Sequence, residues 1–242
     1  MSSRQHKGKL CVYCGARPAR TGDHIFAREF FPIKKRGNLP QAPTCDRCNT
    51  AKSKLEGYLT TVLPFGALHA EAVADLSTMV PRRLKGNAKL RRELETGMGE
   101  VWQTDASGVA KAAMTIPFKP EYLEGWAEYV AKGLTWHHWK VIVPPDHAVL
   151  SACLNRAGTA LFATLFAANS RNKAAGDLGD GMFVYRGAQG TDNPAMSVWE
   201  ISVLGGVNIG SDPKAPGEIS TKLGVVTGSR RTTELFDAVR AH

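Results

Sequence analysis

Two Cys-x-x-Cys pairs, Cys11/Cys14 and Cys45/Cys48, bracket an Asp23-His24 dipeptide, and Asn49 directly follows the last cysteine. Four thiolates in two knuckles suit a closed, tetrahedral structural Zn²⁺ site. The carboxylate of Asp23 and the amide of Asn49 are oxygen ligands for a hard divalent cation such as Mg²⁺ or Mn²⁺. His24 is a base that changes charge near neutral pH. A fold-holding metal beside a second metal with a base points to hydrolysis of phosphodiester bonds. In that chemistry the cation would stabilise the charge on phosphorus and on the leaving oxygen. His24 would deprotonate a water for in-line attack.

Other readings of Cys-x-x-Cys fail on local detail. Haem attachment needs a histidine after the second cysteine, where this chain has Gly15 and Asn49. A zinc deaminase needs His-x-Glu, and here the residues are His24-Ile25-Phe26. Neighbours on a regular strand face opposite ways. Asp23 and His24 therefore work together only at a bulge or a strand end, and one is expected there.

The charge distribution agrees with an anionic partner. Residues 1–56 hold 12 of the 31 Lys/Arg and 4 of the 22 Asp/Glu, a local +8 out of a total of +9. A compact basic segment implies a polyanion, most simply nucleic acid. No apolar run is long enough to span a membrane, and no apolar stretch follows the N-terminus as in a secretory leader. Five cysteines, four of them in the paired motif, fit a reducing cytoplasm better than a disulfide framework. Cys153 is left as a small buried hydrophobe.

The motif resembles the HNH endonuclease family, whose core is a β-hairpin packed on a helix around a metal. The match runs from Cys11-Val-Tyr-Cys14-Gly through Thr21-Gly-Asp23-His24-Ile to Asn38-Leu and Cys45-Asp-Arg-Cys48-Asn49-Thr-Ala-Lys52-Ser, roughly residues 11–56. The resemblance implies zinc on the four cysteines, His24 as general base, and Asp23 and Asn49 as ligands of the catalytic cation. It also implies that Asn38 is the middle Asn that orients the His24 ring, although Asn38 sits in a Lys-Arg-Gly-Asn-Leu turn. Lys52, three residues after Asn49 on the same helix face, is placed to reach a phosphate. Arg20, Arg28 and Arg47, with Lys34, Lys35 and Arg36, are placed to position the nucleic-acid backbone.

The elements that must position these groups follow from pattern. The expected class is α+β: a zinc-stabilised ββα module followed by a mixed α+β domain of unassigned role. The expected division is a loose N-terminus over 1–9, the module over 10–66 and the second domain over 67–242. A module this small rarely folds on apolar burial alone, so the metal is expected to hold it. A helix is expected from Cys48 or Asn49 to Leu63, stopped by Pro64 and Gly66. Residues 67–95 read as helix broken near Pro81 and Gly86, with the basic run from Pro81 to Arg92 as a solvated face. Residues 121–139 read as an amphipathic helix, with Trp136 and Trp139 packed in the core. Residues 160–168 read as helix or strand. Met182–Tyr185, Ser197–Ile209 and Leu223–Val226 read as strands, and Thr232–Val239 as a short helix. The Gly-rich 205–210 stretch lacks phosphate-loop spacing. The competing function is a zinc-stabilised nucleic-acid-binding module without catalysis. DNA or RNA, one or both strands, and oligomeric state stay open.

Overall fold

The structure is a computed structural model that describes residues 5–104, 108–169, 172–207, 211–212, 215–219 and 221–229. Strands β1 (Thr21–His24) and β2 (Gln41–Thr44) pair antiparallel in unbroken register, with His24 opposite Gln41. Helix α1 (Asp46–Val62) follows at once, so this part of the chain runs strand, strand, helix. Cys45 is the extended N-cap of α1, and Asp46 in the first turn complements the helix dipole. The helix begins two to three residues before the expected start and ends at Leu63-Pro64, where the proline cannot continue the bonding.

Helices α2 (Ala70–Gly86) and α3 (Ala88–Gly97) come next. The chain breaks at Asn87, whose side chain caps α3 by accepting the Leu90 N–H at 3.1 Å. No break occurs at Pro81, which lies inside α2. Proline removes one main-chain bond, but Val80 and Leu84 beside it stay packed and carry the helix through. The hairpin β3 (Gly99–Thr104) and β4 (Ala110–Thr115) was not expected from pattern. Helix α4 (Pro120–Trp139) starts with proline in its first turn, where no N–H is missed.

The remaining elements are β5 (Ala148–Cys153), α5 (Arg156–Ala168), β6 (Lys173–Leu178), β7 (Phe183–Gln189), β8 (Ser197–Val203), β9 (Ser211–Asp212), β10 (Ala215–Ile219) and β11 (Lys222–Gly228). The chain is therefore mixed α+β, as expected. Five of these strands form an antiparallel sheet in the order β5-β11-β8-β7-β6, and β9 and β10 form a separate pair. Period-2 alternation in β8 sends Trp199, Ile201 and Val203 into the main core and Val198 to the other face. There Val198 meets Phe162 and Phe166 of α5. The 160–168 stretch is thus helix, and β8 ends at Val203 rather than reaching Ile209. Residues 208–210 and the expected helix over 232–239 lie outside the described residues.

The main core continues from the first 66 residues into the rest of the chain. Phe26, Phe30 and Phe31, in the segment after β1, sit 5.0, 5.1 and 5.2 Å from the Phe183 ring, and Trp126 of α4 lies 6.0 Å from Phe26 and 5.7 Å from Phe30. Gly133 of α4 lets Ile25 pack close, since a Cβ there would lie 2.9 Å from the Ile25 side chain. Trp136 and Trp139 are both half-buried and pack against the main core, Trp139 at 4.9 Å from Trp199. Cys153 is half-buried on β5. Of the 1–9 segment expected to be loose, residues 1–4 lie outside the described residues, and the chain is anchored over His6–Lys9. Gly8 N–H donates to Ala19 at 3.0 Å, and His6 is buried.

Candidate metal centre and active site

The first knuckle lies just before β1 and the second straddles the start of α1, and folding brings their sulfurs together. The Sγ atoms of Cys11, Cys14, Cys45 and Cys48 all lie within 4.8 Å of one another, and Cys14 and Cys45 are 4.0 Å apart. Metal–sulfur bonds of 2.3 Å at the tetrahedral angle put sulfurs about 3.8 Å apart, so the cluster has the size of a tetrathiolate site. A disulfide, with sulfurs about 2.05 Å apart, does not fit these separations. Burial resists ionisation of Cys14, but N–H groups of Ala16 and Arg17 outweigh it and bring the thiol down to about 7. Burial pushes Cys11 and Cys48 up, and neighbouring thiolates push Cys48 further. Four clustered sulfurs that cannot all carry charge alone are a donor set completed by a divalent cation such as zinc.

His24 is the last residue of β1, so the strand end expected at the dipeptide is present, with no register shift before it. Asp23 faces α1. Its Oδ2 accepts the Tyr13 hydroxyl at 2.7 Å and pairs with the Lys52 ammonium at 3.0 Å. Burial and the Asp23 charge hold the Tyr13 phenol well above its ordinary range, so it stays a donor. Lys52 also donates to the His24 carbonyl at 2.7 Å and to Glu56, which accepts the Trp126 indole N–H at 3.3 Å. Burial drives the Glu56 carboxyl up to about 7 against the pull of Lys52.

This overturns the expected role of Lys52. Its side chain is 0% exposed and its ammonium is occupied by three oxygens, so it cannot reach a phosphate. At i, i+3 and i+7, Asn49, Lys52 and Glu56 share one face of α1. Asn49, half-buried, thus stands about 4.5 Å along the helix axis from the lysine that grips Asp23 and His24.

The His24 ring is contacted through Nε2 by the Gln41 side-chain amide at 3.0 Å. The two residues are cross-strand partners and so share a face. The amide orientation matters. With the amide nitrogen donating to Nε2, the ring proton sits on Nδ1. Turned over, the amide oxygen accepts from Nε2–H and leaves Nδ1 as the base. Burial first, then the Arg28 charge, lowers the His24 pKa, with Asp23 pulling the other way. The ring is therefore neutral at pH 7 and able to take a proton.

Asn38 does not orient this ring. It is exposed in a left-handed turn with φ 57°, a conformation Asn tolerates, and Gln41 takes the contact instead. Arg28 and Arg47 are exposed, and Arg20 is exposed with a 3.4 Å pair to Asp46. Lys35 is tied to Glu71 and Asp180, and Arg36 to the Phe31 carbonyl. In the basic run, Arg83 clamps the carbonyls of Thr60 and Glu29. The residues that sequence reasoning passed over are Tyr13, Gln41 and Glu56. Only Glu56 carried a local signal, as the i+4 acid to Lys52.

No protein-family model, curated protein or solved structure matches the chain. No helix among the described residues is long and apolar enough to cross a membrane.

Proposed function

We propose that the chain is a divalent-cation-dependent endonuclease of the HNH kind, acting on nucleic acid, with DNA as the favoured substrate. The observation that carries the reading is the end of β1. There a carboxylate and an imidazole stand in sequence, Lys52 of α1 holds Asp23 and the His24 carbonyl with Asn49 one turn earlier on the same helix, and the four-sulfur cluster lies in the same part of the chain. In this reading zinc occupies the sulfurs and keeps β1 and β2 seated on α1. Asp23 and Asn49 hold Mg²⁺ or Mn²⁺, which supplies charge stabilisation at the scissile phosphate. His24 takes the proton of the attacking water, and Gln41 fixes its ring. Arg28, Arg47 and Arg20 carry the backbone of the nucleic acid. Reduced thiolates suit a cytoplasmic setting. The test is nicking of supercoiled plasmid by zinc-loaded protein with Mg²⁺ or Mn²⁺, and equal activity in His24→Ala would refute the assignment of the base.

One observation favours the second reading, a zinc-dependent nucleic-acid-binding module without catalysis. Asp23 is already satisfied at one oxygen by Lys52 and Tyr13, as a purely structural carboxylate would be. Salt-sensitive binding without cleavage in any divalent metal identifies that case.

A further inference from the structure

Tyr13 lies between the two cysteines of the first knuckle, one residue before Cys14. Its ring is buried and packs edge-on against Tyr129 at 5.0 Å, so the phenol has little freedom to swing. Its position therefore follows the knuckle, and its hydroxyl is delivered to Asp23 Oδ2 at 2.7 Å. Lys52 reaches the same oxygen from α1 at 3.0 Å and also holds the His24 carbonyl. Tyr13 and Lys52 thus both fall on Oδ2.

We propose that Tyr13 and Lys52 are positioning residues that grip Asp23 by one oxygen so that the other is presented to the divalent cation, and that Tyr13 thereby links the thiolate site to the hydrolytic site. The inference rests on the endonuclease reading. A carboxylate held by two charge-assisted or buried donors loses its rotation before the cation arrives, which raises affinity through preorganisation. A merely structural hydrogen bond would alter stability and leave cation binding unchanged.

The experiment measures Mn²⁺ binding to zinc-loaded protein by electron paramagnetic resonance, alongside zinc content and plasmid nicking. Tyr13→Phe keeps the ring and removes the hydroxyl. The expected result is an unchanged zinc content with an Mn²⁺ dissociation constant raised about tenfold and a matching shift in the Mn²⁺ dependence of nicking. Lys52→Met/Glu56→Gln removes the ammonium with its Glu56 partner, leaves Asp23 held by Tyr13 alone, and gives a second test should Tyr13→Phe fail to retain zinc; a smaller rise is expected, because losing the ammonium also removes its repulsion of the cation. Wild-type Mn²⁺ affinity in a variant that retains zinc overturns the inference and leaves the endonuclease reading standing. A wild-type protein that neither binds Mn²⁺ nor nicks DNA removes the endonuclease reading, and the inference falls with it.

Discussion

Replacing Lys52 by Met isolates the buried charge cluster. The lysine side chain is 0% exposed, and its ammonium serves Asp23 at 3.0 Å, the His24 carbonyl at 2.7 Å and Glu56. Methionine is one atom shorter but of similar volume, so the loss is chiefly electrostatic rather than a cavity. It leaves two carboxyl groups at 11% and 10% side-chain exposure without their cation. Breaking a buried pair in this way costs about 3–5 kcal/mol. For a chain of this size that lowers the melting temperature by roughly 6 to 20 °C.

The cost depends on pH with a definite sign. The Glu56 carboxyl is raised in the folded state to about 7 from its ordinary 4.5. Its contribution is therefore most favourable below the unfolded value and is lost as pH rises through about 7. Without Lys52 this penalty grows, so the destabilisation should be larger at pH 8 than at pH 5. Thermal unfolding of zinc-loaded wild type, Lys52→Met and Lys52→Met/Glu56→Gln at both pH values measures this. The double variant should recover part of the loss, because removing both charges leaves less uncompensated. A single variant within about 1 kcal/mol of wild type at pH 8 would refute the argument that the ammonium holds this cluster.

Four further outcomes are expected. A mercurial titration of the thiols should release one zinc per chain and reduce the helix signal in circular dichroism; retention of full helicity without metal would show that apolar packing suffices. His24→Ala should lower nicking by about 10²- to 10⁴-fold, and wild-type activity should rise with pH along a limb centred below 6.5, the direction set by burial and Arg28. Arg28→Ala should move that limb to higher pH, since the arginine charge lowers the His24 pKa, and should reduce the salt dependence of DNA binding by about one counterion; a limb that stays in place would show that the charge does not act on the ring. Gln41→Ala should lower the turnover rate about tenfold with little change in DNA affinity, whereas Asn38→Ala should do neither, because the ring contact is made by Gln41 and Asn38 is exposed in its turn.

Legibility in the sequence followed the range of the interaction. The cysteine cluster was legible because Cys-x-x-Cys fixes a knuckle locally and only the pairing of two knuckles is left to the fold. The strand end at His24 was legible because two neighbouring side chains impose their own geometry. α4 was legible from period alone, with Leu123, Trp126, Val130 and Leu134 all buried. Gln41 was not, because it meets His24 through strand register, which the residues between Ile25 and Pro40 do not reveal. The β3–β4 hairpin was hidden for another reason. Its Trp102 and Met114 are 72% and 63% exposed, so burial imposes no alternating pattern there.

Lys52 shows why a site inferred from motif order needs the surrounding fold to interpret it. On an isolated helix, a lysine one turn past Asn49 reaches outward. Here the face of α1 that carries Lys52 and Glu56 meets both β1, through Asp23 and the His24 carbonyl, and α4, whose Trp126 donates to Glu56. The same helix packing that buries Lys52 turns it from a phosphate contact into a brace for Asp23 and His24. The aromatic segment after β1 works in the same sense. Phe26, Phe30 and Phe31 find their partners on α4 and β7, beyond residue 66. The geometry at the end of β1 is therefore held from three directions: the thiolate knuckles, the charged face of α1 and the aromatic core of the later chain. A motif of 46 residues, 11–56, holds the proposed site residues, but the later chain helps enclose them, with Trp126 donating to Glu56 beside the fully buried Lys52.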